Sequence, residues 1–377
     1  MFKLIGSRSP HPTRPQNVFV FRIGHFGDTV VALPAIHRIA ALHPGARITL
    51  ITNAPAKRSF VTAWDVLQHT RIFNEVLFYD ATRARDLARL VFECRRLQPA
   101  HLYYLLSPPR SPKQRRRDEL FFRRVCGFRN ITGLDTRPSP ELRDPAGNLL
   151  VLPRECDRLL GVVDPSGVSP EPPFLKPSPA AEDKVTGLLG PVAGKFLVAM
   201  GPGSKMPAKK WFLDRYLEIA RRITGRSPDT ALVVFGGGED RAECEQLVHA
   251  VGADRALNLA GATDIIESAA ALARCAFFIG NDTGTMHLAG VMGLACVGVF
   301  TSRDNRDAWT PWGNSHTILR RDLGCSGCML ERCEVERMRC LDLISVDDVW
   351  AAVEPYLSAP RMGAAERRPA TLGGIDR

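Results

Sequence analysis

No apolar run in this chain reaches the roughly 18 residues that a membrane-spanning helix requires. The opening stretch MFKLIGSRSPHPTRPQN also lacks the apolar core of a secretory signal. The protein is therefore expected in the cytoplasm, with its ten cysteines mostly reduced rather than built into a disulfide framework. Two nucleotide-handling signatures are absent. The glycines do not form the GxGxxG dinucleotide fingerprint, which weakens a nicotinamide or flavin reading. No GxxxxGK(S/T) loop is present, so no signature of ATP hydrolysis appears. Around the basic residues there is no aromatic-rich RNA motif, zinc-finger spacing or helix-turn-helix signal.

What is present fits a two-domain protein. A chain of 377 residues is long for one ordinary core, and its apolar and charged shares are those of a globular protein. The net charge of +10 implies an anionic partner: nucleic acid, an anionic membrane or a phosphorylated sugar. Part of that charge is concentrated in Lys113, Arg115, Arg116, Arg117, Arg123 and Arg124. These residues also fit a solvated helix face.

The pattern alternates strand and helix. The first half predicts strands over 17–23, 47–52, 75–79 and 101–106, with helices over 28–42, 83–97 and 112–126. The second half predicts strands over 195–200, 230–235, 256–259, 275–279 and 295–300, with helices over 211–223, 240–251, 265–274 and 345–357. Such alternation argues for parallel sheets and an α/β class. The proline-rich stretch DPSGVSPEPPFLKPSPAA suits an extended linker and places the domain boundary near residue 175. The expected units are residues 1–175, 176–344, a helix over 345–358 that packs back on the first unit, and a disordered tail over 359–377 with little apolar content.

Ligands in parallel α/β sheets sit beyond the strand C-termini, which directs attention to four loops. In GHFGD, Gly24 and Gly27 permit a tight turn, and Asp28 lies at or near a helix N-cap. That is an ordinary structural place for Asp, and also one where a carboxylate can accept a proton from a substrate hydroxyl. In GPGSKMPAKKW, Gly203 and Ser204 offer donors, and Lys209 or Lys210 can neutralise a phosphate; a solvated lysine pair fits equally. In GGGED, Glu239 can bond a sugar hydroxyl or simply favour a helix start. GNDTGTMHLAGVMGLACVGVF, residues 280–300, is the strongest signal. Its Asp282, Thr283, Gly284 and His287 fall on the turn into a small-residue helix, where free amides and the helix dipole attract anions. A lone helical His such as His287 also fits a packed, hydrogen-bonded role.

Three of these segments carry a family resemblance. RIGHFGDTVVALPAIHRI, PGSKMPAKKW and GNDTGTMHLAGVMGLACVGVF occur in order and near the spacing seen in the bacterial heptosyltransferases of glycosyltransferase family 9. The chain resembles that family over roughly residues 17–357. The resemblance implies a GT-B fold, two Rossmann-like domains facing each other across a cleft, with the acceptor held mainly by the first and the nucleotide-sugar by the second. It implies an inverting, metal-independent transfer of heptose from ADP-heptose to the lipopolysaccharide inner core, without a cofactor. By position, Asp28 resembles the catalytic base and Lys209 the lysine on the donor phosphate. Asp282, Thr283, Gly284 and His287 resemble the donor cluster, joined by Gly203, Ser204 and, more weakly, Glu239.

Gly27, Lys113, Arg115, Arg116 and Arg117 fall in the acceptor half. There they suit an anionic, lipid-linked saccharide, with peripheral contact at the inner face of an anionic inner membrane; no nucleic acid is expected. One array lies outside this picture. Cys325, Cys328, Cys333 and Cys340 have a spacing that taken alone suggests zinc, although the family's chemistry calls for no metal. Paired thiols or a metal-free packed segment fit the same four residues. Three other functions remain open: a family member using another nucleotide-sugar in O-antigen or capsule assembly, an epimerase on the same fold, and a non-enzymatic cysteine-metal or nucleic-acid-binding module.

Overall fold

The computed structural model describes residues 16–54, 61–107, 111–134, 143–144, 147 and 149–358. The terminal tail expected over 359–377 lies outside the described residues. In the first half, runs of β-branched and aromatic residues form five strands. These are β1 (Asn17–Phe21), β2 (Arg47–Asn53), β3 (Glu75–Tyr79), β4 (His101–Tyr104) and β5 (Asn130–Thr132). They pair in the order β3-β2-β1-β4-β5, all parallel. The connecting helices are α1 (Phe26–Val30), α2 (Leu33–Leu42), α3 (Ala63–Leu67), α4 (Ala84–Arg96), α5 (Pro112–Leu120) and α6 (Glu155–Val163). Sheet faces that must both be buried read as near-continuous apolar runs, and β1 is accordingly buried from Val18 to Phe21. Leu33, Ile36 and Ile39 of α2 and Leu159 of α6 pack on one face, with Val18 and Val20. Leu90 and Cys94 of α4, with Phe122 and Phe128, pack on the other, against Phe19 and Phe21.

The single helix predicted over 28–42 is two helices, α1 and α2. Pro34 at the start of α2 cannot donate to the carbonyl four residues back, and its ring crowds that turn. The helix predicted over 112–126 is α-helical only to Leu120 and continues as a π-helical turn over Phe121–Cys126.

The second half forms β6 (Phe196–Gly201), β7 (Thr230–Val234), β8 (Ala256–Asn258), β9 (Phe278–Asn281), β10 (Cys296–Phe300) and β11 (Thr317–Arg320). They are parallel in the order β11-β10-β9-β6-β7-β8. Their helices are α7 (Pro179–Leu188), α8 (Leu213–Arg226), α9 (Arg241–Val251), α10 (Ile265–Leu272), α11 (Gly284–Val291), α12 (Arg339–Asp342) and α13 (Val346–Ser358). Gly201, Gly280 and Gly298 align across β6, β9 and β10. A side chain there has no room, because a Cβ on Gly280 would come 2.5 Å from the Gly201 carbonyl oxygen.

The expectation that the last helix packs back on the first unit is corrected. α13 lies against α8, β10 and β11, and its Val349 and Val353 are fully buried with Trp211, Tyr216 and Ile223 of the second unit. Its apolar stripe fits the uncovered side of that sheet.

Candidate functional site

The C-terminal ends of both sheets face a cleft with a cavity volume of about 870 Å³. One wall is His25, Phe26 and Gly27 at the start of α1, with Asp65, Gln68 and His69 beyond them. The other is built from the loops after β6, β7 and β9. α1 and α11 meet at the cleft floor. A Cβ on Gly284 would stand 2.3 Å from the Phe26 ring, and one on Gly27 would stand 3.5 Å from the Gly284 Cα. The absent side chain of Gly284 admits Phe26, so this glycine brings the two halves together.

Lys209, Asp282 and His287 converge. The Lys209 ammonium lies 2.5 Å from Asp282 Oδ2 and 3.4 Å from Asp304, and 5.8 Å from the centre of the Trp309 ring. His287 Nε2 is 3.4 Å from the other Asp282 oxygen, and its Nδ1 is buried with no hydrogen-bond partner among the described residues. Burial works against the charge on each member of the pair, but mutual attraction outweighs it. Burial pushes the Asp282 carboxyl up, yet Lys209 and then His287 bring it down to about 2. Burial lowers Lys209, while Asp282 and then Asp304 raise it above the ordinary lysine value. Both shifts favour the ionised pair.

Thr283 and Thr285 line the cavity beside Asp282. Thr283 precedes α11 as its N-cap without a side-chain bond, so the first-turn amides of that helix open towards the cleft. Lys210 pairs with Glu243 and is not among the lining residues, whereas Lys209 and Lys205 are. Gly203 and Ser204 line the same wall; the Ser204 hydroxyl accepts from the Met206 amide at 3.2 Å. Glu239 also lines it, largely exposed and 3.8 Å from Lys205.

Asp28 is the third residue of α1, near the N-cap, which is His25. One carboxylate oxygen accepts from the His25 amide at 3.2 Å, a capping-box contact. The Arg22 guanidinium donates to the Asp28 carbonyl and, at 2.9 Å, to that of Leu105. Arg22 is fully buried, which lowers its pKa to about 10 although Asp28 and Glu155 pull it back up. Asp28 is half-buried and stands one residue behind the cavity-lining Gly27.

The basic residues do not reach this cavity. Arg115 donates to the Leu134 carbonyl at 3.1 Å, and Arg117 pairs with Asp118 at 2.9 Å. Lys113 and Arg116 are exposed on α5. The four-cysteine array folds over the far side of the Lys209 segment. Cys325, Cys328, Cys333 and Cys340 line one small cavity with Arg303, and all four are free thiols. The Met338 amide donates to Cys333. Among the described residues no group of three or more His, Cys, Asp or Glu side chains is arranged to hold a metal ion.

Several residues that hold the site together were not among the expected site residues. Buried Asn281 accepts from the Trp211 amide at 3.1 Å and the Tyr216 hydroxyl at 2.9 Å, and donates to the Pro202 carbonyl at 2.7 Å. It thereby fixes both ends of the Lys209 loop to β9. Arg303 pairs with Asp304 and donates to the carbonyls of Met329 and Leu330, tying the cysteine loop to the Lys209 network. Asp240 caps the Gly237 amide at 2.9 Å, and burial raises its pKa against that bond. The loop carrying Arg303 and Asp304 follows β10 at the same sheet edge as the loops after β6, β7 and β9. Its position after a strand was the available signal.

Residues 168–339 match the family described as glycosyltransferase family 9 (heptosyltransferase). The chain is 26% identical over 172 residues to the lipooligosaccharide heptosyltransferase 2 of Campylobacter jejuni (serotype O:6), covering 44% of this chain and 53% of that protein. It is 27% identical over 159 residues to the Haemophilus influenzae protein of the same name, covering 39% of this chain and 44% of that one. The matched part thus spans about half the length of these curated relatives. The fold extends further. The structure of Escherichia coli ADP-heptose lps heptosyltransferase II superposes with a TM-score of 0.64 at 18% identity, over 91% of this chain and 98% of that one. A glycosyltransferase family 9 structure from Veillonella parvula gives 0.66 at 18% identity, over 91% and 97%. Two parallel sheets face each other as in these GT-B structures, and the match to the glycosyltransferase family 9 (heptosyltransferase) model covers residues 168–339, the greater part of the second half.

Proposed function

We propose that the protein is an inverting glycosyltransferase that moves a heptose from ADP-heptose to an anionic, lipid-linked saccharide of the lipopolysaccharide inner core. The observation that carries this reading is the buried Lys209–Asp282–His287 cluster beside the open N-terminus of α11. A sugar diphosphate leaving group needs fixed donors where its charge develops. Lys209, the Thr283 hydroxyl and the first amides of α11 supply them. Asp282 holds the Lys209 ammonium in place and keeps it charged.

Asp28 is the base. A sugar hydroxyl is a poor nucleophile, and loss of its proton to Asp28 as the new bond forms lets it attack the anomeric carbon opposite the departing diphosphate. One displacement inverts that carbon and needs no covalent carboxylate. Arg22, donating to the Asp28 carbonyl, holds this turn at the cleft mouth. The acceptor approaches from the side of Gly27.

The test is turnover and nucleotide binding in Asp28→Ala. Transfer is expected to fall by on the order of 100-fold or more, the usual scale for a general base, while ADP binds as in the parent. Near-normal turnover would remove Asp28 from the mechanism.

A further inference from the structure

The outer face of the first domain carries a surface that the cleft chemistry does not use. Phe92 on α4 is 65% exposed, Leu120 at the end of α5 is 54% exposed, and Val125 in the π-helical turn is 42% exposed. The elements bearing them are neighbours. Arg95 of α4 donates to the Val125 carbonyl at 2.8 Å, and Cys94 lies against Cys126. The inward stripe of the same elements, Leu90, Cys94, Phe122 and Cys126, is buried in the core. Folding has therefore sorted the apolar residues, and these three are left outside.

Cations surround them. Arg89, Lys113, Arg116 and Arg124 are exposed and have no ion pair among the described residues. The acidic groups nearby are already engaged: Glu93 by Arg96 at 2.6 Å and Glu119 by Arg123 at 2.9 Å. The result is apolar tips in a positively charged field. α5 starts just beyond β4, and α4 just beyond β3, so both begin at the sheet edge that forms the cleft.

We infer that this face docks on an anionic lipid bilayer, with Phe92, Leu120 and Val125 entering the interface and Arg89, Lys113, Arg116 and Arg124 meeting headgroup phosphates. Charge complementarity selects an anionic surface. The protruding apolar side chains select lipid over nucleic acid, because an acyl boundary buries them and a sugar-phosphate backbone does not. Docking in this pose leaves the cleft mouth beside the membrane, where a lipid-linked acceptor is held. The last point rests on the transferase reading; the docking itself does not.

The experiment is co-sedimentation of the full chain with vesicles, without donor or acceptor, so that its result is independent of transferase activity. Phosphatidylcholine vesicles are compared with vesicles that also contain phosphatidylglycerol. The expected result is binding to the anionic vesicles only, weakened by salt. The pair Arg89→Glu and Arg124→Glu is expected to weaken it on the order of tenfold or more, since each basic group contributes about fivefold. Phe92→Ser with Leu120→Ser is expected to weaken binding at unchanged net charge. ADP binding and the thermal midpoint, measured on the same variants, show that the fold is intact. A Phe92→Trp variant is expected to add a blue-shifted emission component on anionic vesicles. Absent or equal binding to both vesicle types, intact variants that bind as the parent does, or tighter binding to duplex DNA or RNA than to vesicles would overturn the inference.

Discussion

Asp282 holds the positions of two other side chains, Lys209 and His287. Replacing it with Asn keeps the shape and removes the charge, leaving a buried ammonium with only Asp304 at 3.4 Å. Breaking one side of a buried ion pair costs about 3–5 kcal/mol. Asp282→Asn is thus expected to lower urea-unfolding stability by about 3 kcal/mol at neutral pH, and an unchanged midpoint would contradict the pairing. The pH dependence follows from the sign of the shift. The Asp282 carboxyl is held down at about 2, below its unfolded value of about 4. Its contribution is complete above about pH 4 and is lost as pH falls towards 2. The motif made Lys209, Asp282 and His287 legible, because they sit in short segments with characteristic neighbours. Asn281, Asp240, Arg303 and Asp304 were not legible. Asn281, Arg303 and Asp304 have partners tens of residues away, and only the packed sheet edge brings them together, whereas Asp240 caps the nearby Gly237 amide. Asp28 was found for the right segment, but its capping geometry depends on where α1 begins.

Among the elements, strands that are buried on both faces were visible as apolar runs, and the last helix was placed within a residue of its observed start, where Ser345 and Asp348 cap it. β11 escaped notice because its four residues are only half-buried, and α6 and α7 because they flank a proline-rich stretch. Two element-level predictions follow from close packing and from burial. A methyl group on Gly280 meets the Gly201 carbonyl on β6, a backbone atom that cannot step aside. Gly280→Ala is expected to cost about 1–3 kcal/mol, read by chemical denaturation, whereas a neutral effect would show that β6 and β9 have slack.

His316 anchors the loop before β11. Its Nδ1 accepts from the Cys296 amide at 3.1 Å, so the Nε2 proton goes to the Trp312 carbonyl at 2.8 Å. Burial lowers its pKa to about 4. A histidine held neutral in the folded state loses stability as pH falls from the unfolded value of about 6.5 towards 4, by about 3 kcal/mol in all. The thermal midpoint measured across that window is expected to fall more gently in His316→Asn than in the parent. Parallel curves would show that His316 is not the group responsible.

At the scale of the whole molecule, two parallel sheets turn their C-terminal edges towards one another, and every loop that matters belongs to one of those edges. The alternating pattern and the linker made this two-part plan legible. The place of α13 was not, since an amphipathic helix states that it has an apolar stripe but not which surface covers it. The position of Phe26 on Gly284 was equally hidden, being a contact between halves of the chain. In the proposed reaction the cluster on the second edge binds the diphosphate of an ADP-sugar through Lys209. Isothermal titration of the parent and of Lys209→Ala with ADP-heptose, ADP-glucose, UDP-glucose and GDP-mannose tests it most directly. ADP-heptose is expected to bind most tightly, and Lys209→Ala to weaken that binding on the order of tenfold or more, the scale of one lost charge-assisted contact. Tight binding to a non-ADP donor alone, or an affinity indifferent to Lys209, would contradict it.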